Sequence, residues 1–425
     1  MSLTMFFLLV FILIIVGMPI AMAMIASSVL FALLNDIDLG FFAIQMYASL
    51  NNFILLAIPF FLLASEIMDR TSISQRMFQF ARSLVGFIPG GLGHVNVVTS
   101  IIFSGMSGSA VADAGGIGRL SYQAMVEEGY DESFSMSLTA ASAVIGPIIP
   151  PSLPMVVYAM VANESVAKLF LGGLVPGLIL GLALMIYVFF ISKKRHYPVT
   201  SHFNLREMMK NFFRAVPPLL TPLILLGSIY FAIVTVTEAA ALAVLYAVAL
   251  GVFLYHLLTP REFYESLKNV FSICGPILLM IIAAKLFGFI LTTERVSQNL
   301  ANVIFNFANN PTLILLLINM VFIILGCVSD PLVNIMLFVP LFIPLIMVSG
   351  LNSVHFGVMI VLNCMIGLIT PPVGALLVTV NGFGKAEFSS MLRDIWPFII
   401  IEFLVLLLVI LVPGTVLWIP NMLFR

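Results

Sequence analysis

Charge is what this sequence lacks most. Of its 425 residues only 9% are Asp, Glu, Lys or Arg, while 62% are hydrophobic. So few ionisable groups cannot form the hydrated shell of a soluble protein of this length. Cysteine is scarce as well: Cys274, Cys327 and Cys364 all lie in apolar segments. They have neither a metal-site spacing nor a disulfide framework, and read as small packing residues. No basic tract suggests nucleic acid, and a net charge of −1 points to no class of partner. The P-loop string Gly-x-x-x-x-Gly-Lys-[Ser/Thr] is missing; its nearest approach, Gly384-Lys385-Ala386, lacks the first glycine and the hydroxyl, which excludes an ATP-driven pump of that type. The first apolar run has no basic segment before it and continues past Pro19 without an Ala-x-Ala exit, so a retained helix is expected rather than a signal peptide.

What is present is apolar length. Runs long enough to span a bilayer recur over 3–34, 169–191, 239–258 and 398–417, which makes the chain an all-α, polytopic integral membrane protein. The basic residues fall into four groups: Arg70, Arg76 and Arg82; Lys193, Lys194, Arg195, Arg206, Lys210 and Arg214; Arg261 and Lys268; Lys385 and Arg393. Placing all four in the cytoplasm satisfies the positive-inside rule and turns Asn35-Asp36-Ile37-Asp38, Asn163-Glu164, 235–237 and 350–353 outward. The N-terminus is then cytoplasmic and the C-terminus external, with about nine full crossings.

Two apolar segments do not fit as crossings. The run 92–103 spans about 18 Å as helix, little more than half the hydrocarbon core. It ends in Ser104-Gly105-Met106-Ser107-Gly108-Ser109 and returns to Arg119. A second such hairpin starts at Asn310-Pro311, breaks at Gly326-Cys327-Val328-Ser329-Asp330-Pro331 and returns to Ser349-Gly350. Re-entrant backbone at membrane depth survives only where protein or a watery cavity surrounds it.

The string Gly-x-Ile-x-Pro-Pro occurs twice, as Gly146-Pro147-Ile148-Ile149-Pro150-Pro151 and Gly367-Leu368-Ile369-Thr370-Pro371-Pro372. The 221 residues from Gly146 to Gly367 also separate Gly105 from Gly326, and Pro176 from Pro397. This constant register predicts a duplication. Residues 1–192 form the first repeat, with a hairpin over about 90–125 and a broken helix over about 131–162; 193–237 hold a cytoplasmic linker and a joining helix; 238–425 form the second repeat, with a hairpin over about 310–349 and a broken helix over about 354–384. By the charge pattern the first hairpin opens to the cytoplasm and the second outside, so the repeats have inverted topology. Each Pro-Pro pair breaks its helix, and the break exposes carbonyls that can coordinate a cation and N–H groups that can hold a carboxylate.

With these motifs the chain resembles the large membrane subunit of the tripartite ATP-independent periplasmic (TRAP) transporters. The resemblance covers essentially the whole sequence. It is carried by Ala57-Ile58-Pro59-Phe60-Phe61, by Phe103 to Asp113, by Gly146-Pro147-Ile148-Ile149-Pro150-Pro151-Ser152, by Thr237-Glu238-Ala239-Ala240-Ala241 and by Ile369-Thr370-Pro371-Pro372-Val373-Gly374. It implies an elevator-type, sodium-driven importer in the bacterial inner membrane, with no cofactor beyond Na+ as coupling ion. Its implied partners are a small four-helix membrane subunit on a separate chain and a periplasmic substrate-binding protein. The implied substrate is an organic anion, of C4-dicarboxylate or sialic acid type, with the sialic acid branch favoured. Within that resemblance, Ser104, Ser107, Gly146, Ile149 and Pro150 are expected to form one sodium site, and Gly326, Gly367, Thr370 and Val373 its mirror image. Ser107, Ser152 and Asp113 are the candidates for substrate binding.

The competing readings of these residues are plainer. Small residues at the tips also let helices approach closely. Asp113 and Asp330 are costly in a membrane unless they serve an ion or a gate, yet each also suits a helix cap. Arg119 is expected to anchor at the cytoplasmic surface rather than pair with Asp113. Glu66 and Lys285 hold nearly equivalent places in the two halves and either pair or ride at helix ends, while Glu238 suits a helix N-terminus. The histidines are scattered and take no role. Gly105-Met106-Ser107-Gly108 also matches the nucleophile string of rhomboid intramembrane proteases, but no histidine lies on a suitable later helix and the duplicated hairpin goes unused. An ion channel is the other rival, lacking rings of polar residues along a continuous path.

Overall fold

At membrane depth no water bonds the backbone, so a chain this apolar must satisfy its amides within helices. The computed structural model describes residues 1–71, 73–199, 203–231, 233–307 and 310–424, and every regular element there is helical. Six single helices are long and apolar enough to cross a membrane: Val166–Arg195, Leu205–Tyr230, Val236–Leu254, Pro260–Thr293, Pro331–Val348 and Phe388–Leu411. The pair Leu39–Leu50 and Phe53–Arg70, bent by 51°, makes a seventh. The protein is a multi-pass membrane protein.

The first segment differs from its expected single crossing. Helices Leu3–Ile15 and Ile20–Leu34 fold back on each other, so that the Met1 amino group donates to Asn35 Oδ1 at 2.9 Å and Asn35 Nδ2 returns a bond to the Met1 carbonyl at 3.3 Å. Both ends of this pair therefore lie on one side. Gly17, at φ +95°, supplies the reversal: its N–H bonds Ile14 O and the Met18 N–H bonds Leu13 O, a Schellman stop, and Pro19 then prevents the helix from resuming. Met1 and Asn35 therefore share a side, whereas the charge pattern placed them on opposite sides.

Two groups of helices follow. In one, Ala57–Arg70 packs on Val236–Ala249, and Ile20–Leu34 packs on Pro260–Thr293. An ionic knot fastens this group at one end: Arg70 bonds Glu66 at 2.9 Å and Glu265 at 3.2 Å, and Asn269 donates to Glu66 at 3.0 Å. The other group contains the interrupted elements. Gly91–Ser107 turns at Gly108 and returns through Ala110–Asp113, a one-turn π bulge at Ala114–Gly118, and Arg119–Glu127. Glu132–Ala143 and Leu153–Ala162 flank the first Pro-Pro break. Pro311–Gly326 with Pro331–Val348, and Ser353–Gly367 with Ala375–Asn381, are the corresponding elements later in the chain. The 221-residue offset carries Ala110 to Pro331 and Glu132 to Ser353, each the first residue of its helix.

A polar clamp closes one end of this second group. Arg195 reaches Asp131 at 2.9 Å and Asp394 at 3.0 Å, and Tyr197 donates to Asp131 at 2.7 Å while stacking on Tyr130. Burial, and then its hydrogen bond to the Asp131 carboxylate, push the Tyr197 phenol above its ordinary range. The joining helix Leu205–Tyr230 is longer than the hydrophobic run from Pro217 suggests, because its first turns carry Arg206, Lys210 and Arg214 and are capped by Asn204.

Candidate functional site

Each hairpin tip sits against a helix break, and the fit depends on residues without side chains. Gly108 turns the first tip at φ +63°, and a Cβ there would lie 2.5 Å from the Pro151 carbonyl oxygen. The Leu153 N–H donates to the Gly108 carbonyl at 3.4 Å, tying the break to the tip. At the second tip Gly326 and Gly367 touch backbone to backbone; a Cβ on Gly367 would lie 2.5 to 2.7 Å from the carbonyl carbon, Cα and oxygen of Gly326. Both Pro-Pro bonds, Pro150–Pro151 and Pro371–Pro372, are cis.

Asp113 occupies the first contact. Its carboxylate accepts from Ser107 Oγ and lies against Gly146, where any Cβ would collide with it. Its second oxygen, Oδ2, is buried and has no hydrogen-bond partner among the described residues. A hard, orphaned oxygen beside broken-helix carbonyls is chemically suited to a small hard cation. The structure thus brings Ser107, Asp113, Gly146 and Pro150 into the contact between first tip and first break, while Ser104 and Ile149 are buried beside it in sequence, Ile149 packing toward Gly177. Ser104 spends its hydroxyl hydrogen on Ile101 O at 2.6 Å. Ser152 is fully buried, donates to Pro147 O and caps Leu153–Ala162 through the Met155 N–H, so it lies away from open space.

In the second contact Gly326, Gly367 and Thr370 converge, with Thr370 donating to Ile366 O at 2.8 Å. Val373, three residues beyond Thr370 along the same break, is 46% exposed. Asp330 caps Pro331–Val348, accepting from the Leu332 N–H at 2.8 Å. The residue in register with Asp113 is Asn334, fully buried, with Oδ1 against Ser329 Oγ. Arg119 makes no ion pair with Asp113; its guanidinium lies 5.9 Å from the Phe383 ring.

A cleft of about 640 Å³ runs between the two groups of helices. Ser107 and Ser109 of the first tip, Asp330 and Leu332 of the second, and Glu66 and Asp69 on the opposite wall all line it. Asp113 lies directly behind Ser107 rather than on the wall. A second cavity of about 500 Å³ holds Lys285, Gln45 and Asn52. Glu66 and Lys285 therefore do not pair: Glu66 belongs to the Arg70 knot.

Composition and spacing did not single out the polar pairs that fasten each hairpin to its break. Asn96 donates to Thr139 Oγ1 at 2.9 Å and accepts from Ser142 Oγ at 2.7 Å. Asn363 donates to Asn319 Oδ1 at 2.7 Å. The signal was present, since Ser142 and Asn363 stand 221 residues apart.

A family model described as "Tripartite ATP-independent periplasmic transporter, DctM component" matches residues 7–415. The sialic acid TRAP transporter large permease protein SiaM of Vibrio cholerae is 42% identical over 407 residues, covering 96% of this chain and 95% of that protein. The sialic acid TRAP transporter permease protein SiaT of Haemophilus influenzae is 37% identical; 96% of this chain matches 66% of that longer protein. The C4-dicarboxylate TRAP transporter large permease protein DctM of Pseudomonas aeruginosa is 34% identical over 379 residues, covering 89% of each. Among solved structures, the Alcanivorax borkumensis YdaH transporter superposes with a TM-score of 0.64 at 13% identity, covering 88% of this chain and 89% of that one, a likeness of fold.

Proposed function

The chain belongs to the DctM family of TRAP transporter large permeases, a family of transporters and not of enzymes, and from that premise we propose that it imports an organic anion across the bacterial inner membrane by sodium-coupled secondary transport. The observation that carries the reading is the first tip-to-break contact, where Asp113 Oδ2 is buried without a partner beside Gly146 and behind the cleft-lining Ser107. A cation there would complete the site. Its positive charge, with the hydroxyl hydrogen of Ser107 freed from Asp113, would favour a carboxylate in the cleft. Ser104, Ile149 and Pro150 complete the first sodium site, and Gly326, Gly367, Thr370 and Val373 supply its counterpart. The carboxylate falls to Ser107, with Asp113 and Ser152 setting the tip and break around it.

The two groups of helices move as an elevator, the hairpins and breaks sliding past a scaffold built on Ala57–Arg70 and Pro260–Thr293. The residues fall into inverted repeats, 1–192 and 238–425, joined by 193–237. Sialic acid is the preferred substrate, since the two sialic acid relatives are 42% and 37% identical. A small membrane subunit and a periplasmic binding protein complete the assembly.

The test is uptake of radiolabelled N-acetylneuraminate and succinate into proteoliposomes holding all three components, with and without an inward sodium gradient. Sodium-dependent uptake of N-acetylneuraminate that falls at least about tenfold in Ser107→Ala is the expected result. Uptake indifferent to sodium, or equal without the periplasmic protein, overturns it.

A further inference from the structure

Lys285 has no place in the mechanism so far. It lies on Pro260–Thr293, eight residues before Thr293 and so about 12 Å along the helix from that end. With the Arg261 group cytoplasmic, as the positive-inside rule places it, Lys285 falls in the outer half of the membrane. An ionisable residue at this depth is expected to have a partner or a task. Lys285 makes no ion pair among the described residues. Glu164, near the same rim, accepts a hydrogen bond from the Ser165 N–H.

The cavity of about 500 Å³ that Lys285 borders has a one-sided chemistry. Ser49 and Thr292 on its wall have spent their hydroxyl hydrogens on Met46 O and Gly288 O. Asn52 uses its carbonyl oxygen to cap the next turn through the Ile54 N–H, which leaves its NH2 group free to donate. Gln45 adds a second amide. The free donors are thus an ammonium and two amides, and the wall carries no acid among the described residues. Such a wall suits a carboxylate. Much of the remaining lining is apolar, including Met160, Val161, Phe289 and Pro340, while Lys285 itself is exposed to the cavity.

The position matters as much as the chemistry. Met336, on the returning limb of the second hairpin, lines both this cavity and the 640 Å³ cleft, alone among the described residues. The cleft carries Glu66 and Asp69 close to the cytoplasmic Arg70, whereas the outer cavity lies toward Asn163-Glu164 and Thr292. The two spaces are consecutive compartments on either side of one buried side chain.

We propose that the outer cavity is a carboxylate-receiving site, in which Lys285 with the amide N–H groups of Gln45 and Asn52 holds the incoming organic anion before it reaches the hairpin tips. The role rests on the transport reading above, and the site itself does not. It is therefore tested twice. In a background with Cys274, Cys327 and Cys364 changed to alanine, Ala48→Cys and, separately, Ala284→Cys place a thiol on the cavity wall. The rates of modification by sulfonatoethyl and trimethylammonium-ethyl methanethiosulfonate are compared. Their anionic-to-cationic ratio should fall about fivefold in Lys285→Gln and be retained in Lys285→Arg. In the complete reconstituted transporter, Lys285→Gln should raise KM for N-acetylneuraminate about tenfold with kcat within about twofold, and Lys285→Arg should restore KM.

A labelling ratio unchanged by Lys285→Gln at both reporter positions overturns the site. A changed ratio with unchanged KM overturns its role in receiving substrate. A wild type that labels charge-selectively yet imports no organic anion supports the site and overturns the transport reading.

Discussion

The Gly326–Gly367 contact shows how little room the second tip leaves. A methyl group on Gly367 must displace backbone rather than a flexible side chain, and overpacking of this kind costs about 1–3 kcal/mol. Gly367→Ala is therefore expected to lower the melting temperature in detergent and to reduce uptake strongly. Gly275→Ala, in a helix interior with nothing within 4 Å of the added Cβ, should match or slightly exceed wild-type stability. Equal melting temperatures for the two variants would remove the close approach as an explanation. Glu402 poses the opposite problem: it is fully buried, with both carboxylate oxygens unpartnered, and stands 221 residues after Gly181. Glu402→Leu removes those orphaned oxygens at similar volume and should stabilise the fold by about 1–3 kcal/mol, read as a rise in melting temperature. At this scale the glycines were legible because a repeated string marked them. The Asn334 and Asn363 contacts were not, because an amide in an apolar run shows neither its partner nor its face.

Helices and their stops were legible wherever hydrophobic length met a breaker, as at both Pro-Pro pairs and both hairpin tips. The first segment is the exception. Its 3–34 run is long enough to cross a bilayer when tilted, and hydrophobic length alone does not separate one tilted helix from two short ones. The local chemistry of Gly17-Met18-Pro19 does, once the Schellman bonds to Ile14 and Leu13 are seen. The consequence is a topology that can be measured. Ser2→Cys in the cysteine-free background should react with a membrane-impermeant maleimide added outside right-side-out vesicles, as should Asp36→Cys. Labelling of Ser2→Cys only after the vesicles are opened would restore the single crossing. The Asn96–Ser142 and Asn319–Asn363 bonds act at the same scale, since each ties an ascending hairpin limb to the helix before its break. A double-mutant cycle on Asn96→Ala and Ser142→Ala should return a coupling of about 1 kcal/mol in thermal or chemical unfolding.

For the whole molecule the decisive feature is where the cleft runs. Its walls come from different groups of helices: Ser107, Ser109, Leu332 and Val333 from the hairpins, and Leu62, Glu66, Ile273 and Ile277 from the helices they face. Within the scaffold group, the Arg70 knot joins Ala57–Arg70 to Pro260–Thr293; within the hairpin group, the Arg195 clamp ties the end of Val166–Arg195 to Asp131, before Glu132–Ala143, and to Asp394 of Phe388–Leu411. Each group is thus fastened internally by ion pairs at the end that carries its basic residues, which suits two bodies that slide without deforming. If the hairpin group moves as a unit, a tether across the cleft stops transport while leaving both bodies folded. Ile273→Cys with Val333→Cys, bridged by a short reducible bifunctional thiol reagent, should lose at least about tenfold in uptake and regain it on reduction. A control tether within one body, Ile273→Cys with Leu62→Cys, should leave uptake within about twofold of the unbridged protein. Inhibition by both tethers alike would point to general rigidity as the cause. Free uptake with the cleft bridged would mean that the anion passes without relative motion of the two groups, and the elevator would have to be replaced by local gating at the hairpin tips.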